Sequence, residues 1–222
     1  IKAGLSQEST AFGVNRLCGS GMQAIVSAAQ MIKLGDADIA IGGGAESMSR
    51  GGYLLPTLRS GQRMGDATAI DMMVGALTDP FETVHMGITA ENIAAQWKIT
   101  REAQDAFAVE SHRRAVAAIE KGYFKEQILP IELKTRKGVT VFDTDEHPRK
   151  DASLEGMAKL RAAFKKDGSV TAGNASGIND GAAAVVLASA RKAKELNLKP
   201  LARIKAFASA GVDPRYMGMG PV

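Results

Sequence analysis

The stretch N-R-L-C-G-S-G-M-Q-A, residues 15–24, holds the only cysteine of the chain. A thiolate is a strong nucleophile, and its formation is favoured where positive charge or dipole faces the sulfur. Cys18 stands just before an apolar segment with helical character, where unpaired backbone N–H groups and the helix dipole favour negative charge. Gly19 and Gly21 leave space beside the sulfur for a bulky acyl group and let N–H groups point at it. The arrangement follows the logic of a nucleophile elbow, a sharp turn into a helix that presents a reactive side chain. A lone cysteine also serves as a small buried hydrophobe, and residue types alone leave both readings open.

A cysteine nucleophile needs a base, and the chain offers His85, His112 and His147. His112 lies beside Arg113 and Arg114 in a helical pattern and is expected to be solvated. His147 precedes Pro148 in a charged turn. His85 sits in a Met- and Gly-rich segment, and proximity logic alone would pair it with Cys18.

One cysteine closes no disulfide within the chain, and one Cys with three His is too few for a structural zinc site, so no metal is expected. A reducing cytoplasm fits this cysteine usage. With 28 Lys and Arg against 24 Asp and Glu, the net charge is +4. The positive charges are scattered and aromatic residues make up only 5%, which argues against nucleic acid and for an anionic small molecule. No apolar run is long enough to span a bilayer and no signal-peptide layout is present, so no membrane association is expected.

The elements that must position these residues follow from periodicity. A strand is predicted within residues 11–17, a helix over 19–34 that is apolar nearly all round and therefore buried, and a strand from 38 into Gly42-Gly43-Gly44. Gly35 is the expected helix stop. This reads as a βαβ unit of a mainly parallel sheet, within an α/β protein. Residues 47–89 show no sustained period, a length of irregular chain that usually carries function or an interface. A helix is predicted from the cap at Thr100 to Lys121, with Gly122 as stop. Strands are expected at 128–133, 139–142, 182–187 and 201–208, and a helix at 154–164. The triple glycine follows a strand but lacks G-x-G-x-x-G spacing, which makes a dinucleotide site a weak reading.

Five stretches in order then carry a resemblance: N-R-L-C-G-S-G-M-Q-A, G-G-G-A-E-S-M-S, H-M-G-I-T-A-E-N, T-A-G-N-A-S-G-I-N-D-G-A-A-A and G-V-D-P-R-Y-M-G-M-G-P-V. Together they resemble the thiolase family, most closely its tetrameric acetyl-CoA acetyltransferases or β-ketothiolases. The resemblance implies a layered fold of two similar βαβαβαββ halves with a loop domain inserted in the first. Residues 1–47 and 179–198 would then belong to the first half, 48–178 to the inserted loop domain, and 199–222 to the start of the second half. It also implies an internal portion of a longer protein, with the second half almost entirely outside the chain.

The same resemblance implies that Cys18 accepts an acetyl group from one acetyl-CoA, and that the carbanion of a second acetyl-CoA attacks the acyl-enzyme to give acetoacetyl-CoA. The Cys18 N–H would contribute to the oxyanion hole. The activating base, in a G-H-P motif, and a second cysteine, in a C-x-G motif, belong to the second half, so His85 is expected to contact substrate instead. By the same match, His85 and Met86 flank the pantetheine and thioester, Ser176 bonds the pantetheine amide with Ala172 nearby, Arg149 lies near the adenine phosphates, and Leu77 and Phe164 form apolar walls. Coenzyme A thioesters would be substrates and no resident cofactor is implied. The segment Tyr53–Ala69 matches a loop that ties dimers into homotetramers. Two other readings stay open: a β-ketoacyl synthase-like condensing enzyme, and a non-catalytic portion that only folds, binds coenzyme A or oligomerises.

Overall fold

The computed structural model describes residues 1–222. The chain forms two compact units, one of residues 1–53 with 179–209 and one of residues 54–178 with 210–222.

In the first unit, helix α1 (Ser20–Leu34) packs on a two-stranded sheet. Gly35, at φ 85°, ends the helix: its N–H donates to Ile32 O while the Asp36 N–H reaches back to Met31 O. Strand β1 (Ile39–Ser47) pairs with a strand at Asp180–Ala188, antiparallel, in a register running from Ile39↔Ala188 to Ser47↔Asp180. The core of this unit is Ala28, Ala29 and Leu187, with Ile25, Ile32 and Ala40 against it.

The glycines of β1 find their explanation here. A Cβ on Gly42 would stand 2.9 Å from Ile25 Cα, and one on Gly43 2.6 Å from Ala183 O. They let helix and strand backbones approach closely, a packing role and not a phosphate-binding one.

Three expectations are corrected. The sheet pairing in this unit is antiparallel, because the partner of β1 comes from 180–188 and not from residues 11–17, which form no strand. Periodicity marks a strand but not its partner. Helix α1 is buried only at Ala28 and Ala29; Met22 is 74% exposed, since the packing surface is supplied by the sheet on one side. Residues 201–208 form no strand either; there Phe207 lies under the Lys33 ammonium, 5.2 Å from the ring centroid.

The second unit contains most of the helices. Strand β2 (Tyr53–Leu54) stands at its boundary, and β3 (Ile70–Asp71) leads into helix α2 (Met72–Ala76), capped by Asp71, whose carboxylate accepts from the Met73 and Val74 N–H groups. Helix α3 (Met86–Gln96) begins within the segment read as irregular. Helix α4 (Arg101–Glu120) is capped by Thr100, whose hydroxyl oxygen accepts from the Ala103 N–H at 3.2 Å. Strands β4 (Ile131–Thr135) and β5 (Gly138–Phe142) form an antiparallel hairpin.

Helix α5 (Leu154–Ala158) is shorter than predicted. The Arg101 guanidinium takes Met157 O at 2.5 Å and Leu160 O at 3.2 Å. Beyond it the chain turns back, with the Ala163 N–H donating to Val170 O at 2.8 Å. Strand β6 (Asp180–Ala188) and helix α6 (Ala190–Glu195) return the chain to the first unit. No helix is long and apolar enough to cross a membrane.

Candidate functional site

Cys18 lies in the first unit, and the seven residues matched to coenzyme A binding lie in the second. Cys18 is exposed and sits one residue before Gly19, the first residue capping α1. The turn around it is made by short polar residues. The Asn15 side chain accepts from the Leu17 N–H at 2.9 Å, and the Gly19 N–H donates to Arg16 O at 3.0 Å. The Ser20 hydroxyl donates to Leu17 O at 2.7 Å and accepts from the Arg16 N–H at 2.9 Å. These bonds hold Leu17 at φ 49°, a left-handed conformation that costs a non-glycine residue about 1 kcal/mol or more.

The sulfur is thus carried on a strained, locally braced bend. No side chain caps α1; its first N–H, that of Ser20, turns back to Leu17 O at 3.1 Å, and the helix dipole faces the bend. No atom lies within 4 Å of a Cβ built on Gly21. Asn15 and Ser20 are contributors that residue-type reasoning missed. Their signal was present, since Asn and Ser two or three residues from a bend are turn-forming side chains.

In the second unit, four of the matched residues converge. The Met86 N–H donates to Leu77 O at 2.8 Å. His85 is the N-cap of α3: its Nδ1 accepts from the Gly87 N–H at 3.0 Å. Its ring stacks on Phe164, with centroids 4.7 Å apart and planes 17° from parallel. A Cβ on Gly87 would collide with the Phe164 ring, so only glycine lets that ring sit against the start of α3. The cap makes Nδ1 the unprotonated nitrogen, which leaves the Nε2–H of neutral His85 as a donor.

Phe164 stands next to a short chain pairing, Ala162 with Thr171, which brings Ala172 onto the adjoining segment. Ala172 and Ser176 are both exposed on the loop that follows Thr171. Arg149 is exposed and held from its backbone, its N–H donating to His112 Nδ1 at 3.2 Å. No hydrogen bond or ring contact joins Arg149 to the His85–Phe164 group. His112 is therefore half-buried and engaged, with its ring 6.0 Å from that of His147, where a freely solvated side chain was expected. No group of three or more His, Cys, Asp or Glu side chains is arranged to hold a metal ion.

Comparison with known proteins defines the class. The family model described as the thiolase N-terminal domain matches residues 1–191. The fold superposes on the crystal structure of a Bacillus anthracis acetyl-CoA acetyltransferase with a TM-score of 0.94 at 50% identity, covering 99% of this chain and 56% of that one. A human mitochondrial 3-ketoacyl-CoA thiolase in complex with CoA matches with a TM-score of 0.92 at 43% identity, over 99% of this chain and 55% of that one.

The chain belongs to the thiolase family and has the thiolase fold. Among its relatives, a β-ketothiolase of Cupriavidus necator is 60% identical over 223 residues, which span 100% of this chain and 57% of that protein. An acetyl-CoA acetyltransferase of Syntrophomonas wolfei is 56% identical over 225 residues, again 100% of this chain and 57% of the relative. The chain thus spans a little over half the length of the curated relatives it matches.

Proposed function

We propose that the protein carrying this chain is an acetyl-CoA C-acetyltransferase that works through an acyl-Cys18 intermediate. The observation that carries the reading is the Cys18 bend: an exposed thiol on a strained turn, at the uncapped start of α1, inside the N-R-L-C-G-S-G stretch of a thiolase.

The Cys18 thiolate attacks the thioester carbonyl of acetyl-CoA, the new carbon–sulfur bond forms, and coenzyme A leaves as a thiolate that takes up a proton. A second acetyl-CoA then gives up a methyl proton to a base, and its carbanion attacks the acetyl-enzyme. The bond to Cys18 breaks, giving acetoacetyl-CoA and the free thiolate; thiolysis is the reverse. Developing negative charge on the carbonyl oxygen calls for backbone N–H donors, and the Cys18 N–H is the donor this chain supplies.

His85 suits a substrate contact better than the role of activating base. A base must offer a free lone pair, and the only one His85 has in its neutral form is engaged by the Gly87 N–H. Its Nε2–H remains to donate to an acceptor on the pantetheine or thioester, beside Met86, Leu77 and Phe164. Ser176 and Ala172 supply the pantetheine contacts and Arg149 the phosphate contact, with no resident cofactor needed. The functional form is a cytoplasmic homotetramer, its dimers tied by the Tyr53–Ala69 loop, where Tyr53, Leu58 and Met64 are exposed.

The test is acylation. The full-length protein, incubated with acetyl-CoA and digested, is expected to carry a labile acetyl group on the peptide containing Cys18. Thioester label that persists at the same level in Cys18→Ser would refute the assignment.

A further inference from the structure

We propose that Glu91 on α3 and Asp105 on α4 are positioning residues for the coenzyme A thioester, acting through the Ser169–Ser176 loop and touching no substrate themselves. The inference rests on the reading that Ala172 and Ser176 meet the pantetheine.

The loop and its approach read K-K-D-G-S-V-T-A-G-N-A-S-G. Val170 is its one buried apolar anchor of any size. Small polar residues bury too little apolar surface to offset the entropy of a fixed conformation. Polar groups do the holding instead. Glu91 is 6% exposed, and its carboxylate accepts from the Ser169 N–H at 2.8 and 3.0 Å, the Ser169 hydroxyl at 3.0 Å and the Val170 N–H at 2.8 Å. Gly168 permits this approach, since a Cβ there would collide with Glu91 Oε1. Burial disfavours the charge on Glu91, yet the Ser169 and Val170 hydrogen bonds together with nearby Lys165 hold its pKa below the ordinary value.

The second carboxylate works from the other side. Asp105 is 4% exposed; it accepts from Arg101 Nε at 2.7 Å and from Asn174 Nδ2 at 3.0 Å. Asn174 in turn donates to Ser169 O at 3.0 Å and accepts from the Thr171 N–H at 2.8 Å, while Gln104 donates to the Ser169 hydroxyl at 2.9 Å. Thr171, at the centre, is fully buried. Ala172 and Ser176, the two residues matched to substrate, are the exposed ones. The loop is therefore clamped through its interior and leaves its outer side chains free. That is the arrangement preorganisation requires, since ordering the loop before the ligand arrives removes an ordering cost from binding.

The experiment uses the full-length protein. Glu91→Ala is expected to raise KM for acetyl-CoA about tenfold, because the unclamped loop must then be ordered as the ligand binds, with kcat within about threefold of wild type. Amide exchange should speed up at residues 169–176 while α1 keeps its protection. Glu91→Gln retains one acceptor oxygen and should fall between the two. Should Glu91→Ala fail to fold, Asn174→Ala breaks the clamp from the loop side and is expected to give the same split. Wild-type KM in a folded Glu91→Ala or Asn174→Ala protein, or equal losses in kcat and KM with protection lost everywhere, would overturn the proposal. Ser176→Ala separates the two levels. A raised KM there with none in the clamp variants sinks only the positioning role; a wild-type KM in Ser176→Ala sinks the coenzyme A reading beneath it.

Discussion

The Cys18 bend and the Ser169–Ser176 loop solve opposite problems with the same polar side chains. The turn itself is local: the bonds from Asn15, Ser20 and the backbone that shape it join residues no more than four apart, the Arg16 guanidinium alone reaching further, to Gln23 and Ser209, and it stores strain at Leu17 in the open. The loop is held by partners 65 to 79 residues distant in sequence, at Glu91, Gln104 and Asp105. On the proposed function Cys18 must be reachable, so its support cannot enclose it, and short-range bonds can brace a bend without covering it. On the same proposal the loop meets a long flexible ligand and gains most from being ordered in advance, which distant, buried anchors provide.

The largest effect that separates the two regions is on Cys18 itself. Cys18→Ala should cut acyl transfer by about a thousandfold or more, because the covalent route is gone. Its unfolding free energy should stay within about 0.5 kcal/mol, since the side chain is exposed. Turnover and denaturant melts of the full-length protein measure both.

Next is one substitution made in both regions. Gly87→Ala drives a methyl into the Phe164 ring and should cost about 1–3 kcal/mol by overpacking. It should also raise KM as the His85 stack is displaced. Gly21→Ala meets no atom within 4 Å and lies inside α1, so it should be neutral or stabilise by up to about 1 kcal/mol. It should nevertheless slow Cys18 acylation by narrowing the space beside the sulfur. Equal melting shifts in the two variants would erase the contrast.

A third prediction concerns the brace of the bend. Ser20→Ala removes the bonds to Leu17 O and the Arg16 N–H, at a cost of about 1 kcal/mol or less for exposed partners. Cys18 alkylation should slow while KM for acetyl-CoA is unchanged.

The smallest effect is on pH. The folded-state pKa of Glu91 lies below its ordinary value of 4.5, so its contribution is fully present above about that pH and is lost as the pH falls through the folded value. Amide protection at 169–176 should therefore be flat from neutrality to about pH 5 and decline below it. Glu91→Gln should flatten that decline, and the Cys18 bend, which uses no carboxylate, should show none.

Local rules account for much of what could be read in advance. Thr100 starts α4, and Gly35 ends α1, because caps and left-handed stops are decided by a residue and its near neighbours. The hairpin of β4 and β5 was legible as two short apolar runs, displaced by a few residues from the expected bounds. Helix α3 was missed because its cap is a histidine, an unusual capping residue, and because glycine, threonine and methionine blur its first turn. In the candidate site, the cysteine and its glycines stood out by type and spacing. Glu91 and Asn174 did not, because a carboxylate or amide in a helix or loop reads as a solvated side chain until its distant partners are known.

The sequence by itself determined the order of motifs, the place of Cys18 at a helix entrance and the turn-forming residues around it, since all of these rest on neighbours a few positions away. Tertiary structure alone decided the rest. It paired β1 antiparallel with β6, some 140 residues on, joined the Met157 carbonyl at the end of α5 to Arg101, set Phe164 against Gly87, and buried Glu91 against Ser169 and Val170. Those outcomes depend on which surfaces meet once the chain has closed long loops. The free energy of such contacts comes from burial and complementary partners, which no short window of residues contains.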